Sequence, residues 1–175
     1  MKLRILQCLK FCTAAFYFFC LAPLHQVEAS ENVLREVRIL RVLDGESFVA
    51  ILPDKKSRVI LISGLKAPSG KQHYAEQSAQ KLKITLSMFP ITLICIEADH
   101  LHRSVCRVYA GNIDVAMKQI RNGAARWDKD NAQRQDLEER EAYRESEQIA
   151  RKAGIGLWGK KQPLPRKNLI DHGRK

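Results

Sequence analysis

A change of hydrophobic period after residue 68 constrains this chain more than any other feature. Before it, apolar residues come in short runs: Val33 to Val42 alternates charge with Val, Leu and Ile, while Phe48 to Leu52 and Arg58 to Ile62 are β-branched or aliphatic. Alternation with period two buries one face of a strand, so these runs predict three strands. Asp44-Gly45 is the first turn, and Pro53-Asp54-Lys55-Lys56 is a polar link of hairpin length. After Pro68-Ser69-Gly70 the period becomes helical, with Ala75, Ala79, Leu82, Leu86 and Phe89 on one stripe that Pro90 ends. Ile91 to Ala98 and Val105 to Ala110 predict a second antiparallel pair, followed by a Gly111-Asn112 turn.

Two further helices are expected. Asp114 to Asn122 is short and stops at Gly123. Ala132 to Ala153 is long and charged, with Ala142, Ser146, Ile149 and Ala153 on one face and Gly154 and Gly156 as its stop. Its dense Arg and Glu predict a solvated, salt-bridged exterior and not a binding device. The order predicts an α+β fold with a mainly β core: a five-stranded barrel dressed with three helices. A chain of 175 residues, 45% hydrophobic, buries one sizeable core but hardly two.

The ends differ in kind from this core. Residues 1–29 read as a signal peptide: Lys2, Arg4 and Lys10 make a positive start, Phe11 to Leu24 carries no charge, and Val27-Glu28-Ala29 offers small residues at the cleavage positions. The alternative is a retained anchor, if Lys10 snorkels and the apolar run extends back toward Ile5. Cys20 follows Phe18-Phe19 and is a poor lipoprotein cysteine. Cleavage after Ala29 leaves 27 Lys and Arg against 18 Asp and Glu, a charge of +9. It removes Cys8, Cys12 and Cys20, leaves no stable membrane span, and delivers Cys95 and Cys106 to a secreted or periplasmic compartment where disulfides persist. Residues 30–158 are the expected domain. Residues 159–175 are a Pro-, Lys- and Arg-rich tail without apolar periodicity, expected to be flexible. Such an excess of positive charge draws a protein to polyanions: nucleic acid, anionic lipid or acidic polysaccharide.

Five local patterns then occur in a fixed order between Val33 and Trp158. Val42-Leu43-Asp44-Gly45-Glu46-Ser47-Phe48 opens the series and Ser63-Gly64-Leu65-Lys66-Ala67-Pro68 follows the third strand. Asp99-His100-Leu101-His102-Arg103 fills the second hairpin, Arg121-Asn122-Gly123-Ala124-Ala125 follows the second helix, and Glu147 through Trp158 closes on Gly-Leu-Trp. Together they resemble the thermonuclease, or staphylococcal-nuclease-like, family. The resemblance implies a barrel of the oligonucleotide-binding (OB-fold) type and a calcium-dependent enzyme that hydrolyses phosphodiesters in DNA and RNA. That chemistry requires carboxylate oxygens for the ion, a general base for water, and two guanidinium groups for the phosphate.

Carried over residue by residue, most of that machinery is replaced. Glu46 takes the first calcium carboxylate position with one methylene added, and Ser47 stands where Thr is usual. Lys66 replaces the second calcium carboxylate with a cation, so no metal is expected. Ser69 replaces the general base, and a hydroxyl without a base of its own takes no proton from water. Leu61 replaces the first arginine. Arg58 is no substitute, because an offset of three along a strand points to the opposite face. Arg103 alone is retained, as a phosphate ligand or as a structural partner of Asp99 or Glu97. Leu101 removes the stacking tyrosine. His100 and His102 are new there, and solvent-exposed loop histidines are expected over a zinc site.

If the second hairpin turns between His100 and Leu101, facing residues have numbers summing to 201, as Cys95 and Cys106 do. A disulfide is favoured over two packed thiols. Trp127 and Trp158 are expected to be packing residues. Three functions are left standing. The preferred one is a non-catalytic, exported domain that binds nucleic acid, another polyanion or a partner through its basic surface or its cleft of Lys66, Ser69, His100, Leu101 and His102. The others are a divergent phosphodiesterase with an altered site, and an interaction module for an envelope protein.

Overall fold

The structure is a computed structural model that describes residues 32–99 and 101–159. Residues 1–31, with the expected signal segment and Cys8, Cys12 and Cys20, the histidine at 100 and the tail beyond Gly159 lie outside the described residues.

Five strands form the core: β1 (Asn32–Val42), β2 (Ser47–Ile51), β3 (Ser57–Ile62), β5 (Ile91–Ala98) and β6 (Ser104–Ala110). They run in the order β3-β2-β1-β5-β6, and a parallel pairing of β3 with β6 closes the barrel. There are also three two-residue strands: β4 (Leu65–Lys66) and β8 (Arg126–Trp127) form a separate two-stranded sheet, and β7 (Ile113–Asp114) pairs antiparallel with β6. This is the α+β, OB-type architecture expected. Alternate positions fill the interior, with Phe48, Ala50 and Leu52, Ile60 and Ile62, and Leu93, Cys106 and Val108 all buried in one cluster, as strand period two demands.

The hairpin register is the expected one from Ile91↔Ala110 to Cys95↔Cys106, and Cys95 is disulfide-bonded to Cys106. A bulge at Ile96 then shifts the pairing by one, giving Glu97↔Val105. The turn itself runs from Asp99 to Arg103, whose backbones hydrogen-bond at 2.9 Å.

Helix α1 (Ala75–Met88) buries Ser78, Leu82, Thr85 and Leu86. Phe89 drops off the expected stripe: it is extended (φ −146°, ψ 163°) and 48% exposed, because the proline after it excludes the helical conformation. Helix α2 (Val115–Arg121) starts on Asp114, whose carboxylate accepts from Met117 N at 2.9 Å, and stops at Gly123 with φ +63°.

The single long helix expected over 132–153 is instead two pieces. Lys129–Arg134 is a 3-10 turn, Gln135 is extended, and α3 (Leu137–Lys152) begins only after Asp136. Asp136 accepts from Glu139 N at 2.8 Å, an N-cap that outcompetes continuation of the preceding turn. The buried face also differs, being Tyr143, Ser146, Glu147 and Ala150, with Ile149 and Ala153 exposed. Apolarity misled here because two polar residues are buried with partners. Tyr143 donates to Asp114 Oδ2 at 2.7 Å, and Glu147 Oε1 accepts from Trp127 N at 3.3 Å. A final 3-10 turn, Gly156–Trp158, returns against Gly123, where Leu157 N donates to Gly123 O at 2.8 Å. No helix among the described residues is long and apolar enough to cross a membrane.

Candidate functional site

The loop between β1 and β2 is shaped by Asp44, whose Oδ1 accepts from Glu46 N at 2.9 Å and from Ser47 Oγ at 2.8 Å. Gly45 docks this loop on α1 and α2. Gln119 Nε2 donates to Gly45 O at 3.2 Å, and a Cβ on Gly45 would fall 1.8 Å from Ser78 Oγ and 2.7 Å from Ala67 Cβ. The docking aims Glu46 across to the segment after β4, where its Oε2 accepts from Ala67 N at 2.7 Å. Burial is the largest influence on Glu46 and raises its carboxyl above the ordinary range. The Ala67 hydrogen bond opposes this, and the charges of Asp44, Arg103 and Asp128 all act on it.

Lys66 precedes Ala67, the residue that Glu46 binds. In β4 it pairs with Arg126 of β8, and this small ladder, with Asp128 N donating to Gly64 O at 3.0 Å, brings the segment after Trp127 over it. The Lys66 ammonium lies 2.9 Å from Asp128 Oδ1 and 2.7 Å from Asp130 Oδ2. Asp128 is nearly buried, its other oxygen accepts from Asn131 Nδ2 at 2.7 Å, and Lys66 is the charge that meets Oδ1. Hydrogen bonds from Lys66 to Asp130 and Asp128 raise the lysine further and hold Asp130 below its usual range. Sequence patterns had marked Asp44 as a turn residue only, and had not singled out Asp128 or Asp130. The only signal for the last two was the acidic alternation in Asp128-Lys129-Asp130, and no local rule says that it folds onto residue 66.

Arg103 is paired with Asp99. Its Nε donates to Asp99 Oδ2 at 2.7 Å and its backbone N to Oδ1 at 2.8 Å, while Leu101 N also donates to Oδ1. Desolvation works to raise Asp99, but these hydrogen bonds outweigh it and hold the carboxyl low. Glu97, the other partner considered, is bound by Arg134 instead. Leu61 is half-buried between Ser47 of β2 and Val105 of β6. Arg58 pairs with Ala50 and binds Asp54 at 2.8 Å, so it is occupied away from Leu61. Ser69 is exposed; its backbone N donates to Gln72 Oε1 at 3.2 Å, and its hydroxyl meets no base among the described residues. Leu101 is 61% exposed, and His102 is exposed with φ +57°.

The residues present do not fit a calcium ion. An ion between Glu46, Asp128 and Asp130 requires the volume and the anionic charge that the Lys66 ammonium already takes up, and one Glu46 oxygen is committed to Ala67 N. The two tryptophans pack, as expected. Trp127 Nε1 donates to Gln135 Oε1 at 2.9 Å, and Trp158 lies under Arg151 at 3.8 Å and Arg126 at 5.6 Å.

Compared with known proteins, residues 58–160 match a family model described as staphylococcal nuclease homologue. No curated protein is matched.

Proposed function

Given that the chain belongs to the staphylococcal nuclease homologue family, we propose that it is an exported member that binds nucleic acid without hydrolysing it. The observation that carries this is the Lys66 ammonium bridging Asp128 and Asp130 beside Glu46. An internal cation stands between the two aspartates and offsets one of their two charges, in the place a metal would need, so the cleft offers a phosphodiester no metal, and Ser69 offers water no base. Removing these parts together costs a hydrolase most of its barrier reduction, because they act as a unit. Binding needs much less than hydrolysis: unpaired surface cations and the net charge of +9 left after cleavage at Ala29 are sufficient to hold a polyanion at moderate salt. The Cys95–Cys106 bridge suits an oxidising compartment, in keeping with export.

The test is incubation of the purified protein with single-stranded DNA and with RNA, in calcium and in chelator. The expected result is intact substrate together with a complex that dissociates steeply as salt rises. Cleavage that Glu46→Gln abolishes would overturn the non-catalytic reading.

A further inference from the structure

The arginines of this domain divide sharply by position. Arg58, Arg103, Arg107, Arg134, Arg140, Arg144 and Arg151 each meet an acid or a carbonyl, and Arg126 lies over Trp158. Arg35, Arg38, Arg41 and Arg121 are exposed and have no partner among the described residues; Arg121 stands alone at the end of α2, and the other three stand together on β1.

Their common orientation is a product of the backbone. In an unbroken strand 35, 37, 39 and 41 share a face, and Val37 and Ile39 pack on the core. Arg35 and Arg41 would then point inward. Two irregularities prevent it: the pairing of β1 with β5 slips between Leu34 and Val37, where Glu36 has φ +57°, and the pairing with β2 slips between Ile39 and Arg41. Each slip inserts one residue, so Leu34, Val37, Ile39 and Val42 face the core while the three arginines face solvent. At about 3.3 Å per residue the row is roughly 20 Å long. It is also narrow. The flanking strand β2 has no charged residue, β5 has only Glu97, which Arg134 binds, and the one acid within the row is Glu36.

We propose that this row on β1 is a binding strip for a single-stranded nucleic acid, distinct from the cleft around Lys66. The strip rests on the binding function proposed above and gives it a location. A one-residue-wide line of cations matches a linear polyanion, not a planar membrane surface. All three are Arg, whose planar fork binds a phosphate through two hydrogen bonds and stacks on bases. Val33, Leu40 and Leu43, exposed by 42%, 48% and 45% along the same strand, give bases an apolar surface to lie against.

The experiment measures binding of the full chain to a fluorescent oligothymidylate across a salt series, for wild type, for R35Q/R38Q/R41Q and for the equal-charge control K83Q/K118Q/R121Q. Losing three phosphate contacts lowers the slope of log K against log salt by about 2, and the control changes it little. R35K/R38K/R41K keeps most of the slope. Circular dichroism and thiol titration of Cys95 and Cys106 check that each variant is folded. A β1 variant indistinguishable from wild type overturns the strip and leaves the binding function intact; equal losses in both charge variants overturn it in favour of diffuse attraction. No binding by wild type overturns both. Cleavage by wild type, with the β1 variant alone losing slope, sinks the non-catalytic function and keeps the strip. If heparin binding depends on the β1 arginines and oligothymidylate binding does not, the occupant is an acidic polysaccharide and the nucleic-acid assignment is wrong.

Discussion

Replacing Lys66 by Asp puts a carboxylate back where the family resemblance places a calcium ligand, and the structure sets the size of the effect. Lys66 is about half exposed (51%) and its partner Asp128 is 10% exposed, so losing that pair removes up to about 1 kcal/mol. The new carboxylate ends two bonds short of where the ammonium lay, and at roughly 6 Å from Asp128 it adds a repulsion between about 0.7 kcal/mol in water and about 3 kcal/mol near a protein surface. In chelator, Lys66→Asp is therefore expected to lose about 1 to 4 kcal/mol in urea unfolding. Glu46, Asp128 and Asp130 would now surround the new side chain with no internal cation. Calcium present at ten times its dissociation constant returns about 1.4 kcal/mol. Wild type is expected to unfold identically in calcium and chelator. Calcium stabilising wild type as much as the variant would refute the claim that the ammonium excludes a divalent ion.

Reducing the Cys95–Cys106 bridge, or replacing both cysteines by Ala, should cost about 3 kcal/mol from loop closure across a sequence separation of 11; thiol titration of the unfolded, unreduced protein should find both cysteines blocked. Gly123→Ala should lower stability by at least about 2 kcal/mol in chemical unfolding. A Cβ there needs a left-handed conformation at φ +63° and meets Ile155 O at 2.2 Å. Burial, outweighing hydrogen bonds from Met117 and Tyr143, raises the Asp114 carboxyl above 3.8. The folded protein thus binds this proton more tightly than the unfolded chain, and the resulting stability is full below about pH 3.8 and lost as pH rises through the folded value. Asp114→Asn should remove that loss, so wild type should decline relative to the variant between pH 4 and neutrality; a constant difference would show that Asp114 titrates normally.

What the linear sequence determined was the set of elements and their faces wherever neighbours in the chain decide them. Period-two runs gave the five barrel strands, Pro90 and Gly123 gave helix ends, and equal spacing about one turn placed Cys95 opposite Cys106. Substitutions at Leu61, Lys66 and Ser69 were legible for the same reason, since each stands at a fixed offset inside a local pattern. Tertiary structure decided the rest, because ion pairs and buried polar contacts depend on which distant segments meet. Asp130 reaches Lys66 across 64 residues, Tyr143 reaches Asp114 across 29, and these contacts set the Lys66 ammonium between two aspartates and shifted the buried face of α3. The two slips in β1 are equally nonlocal. A strand's side chains alternate until its partners on either side run out of register, and only the closed barrel fixes where that happens and turns three arginines to the same side.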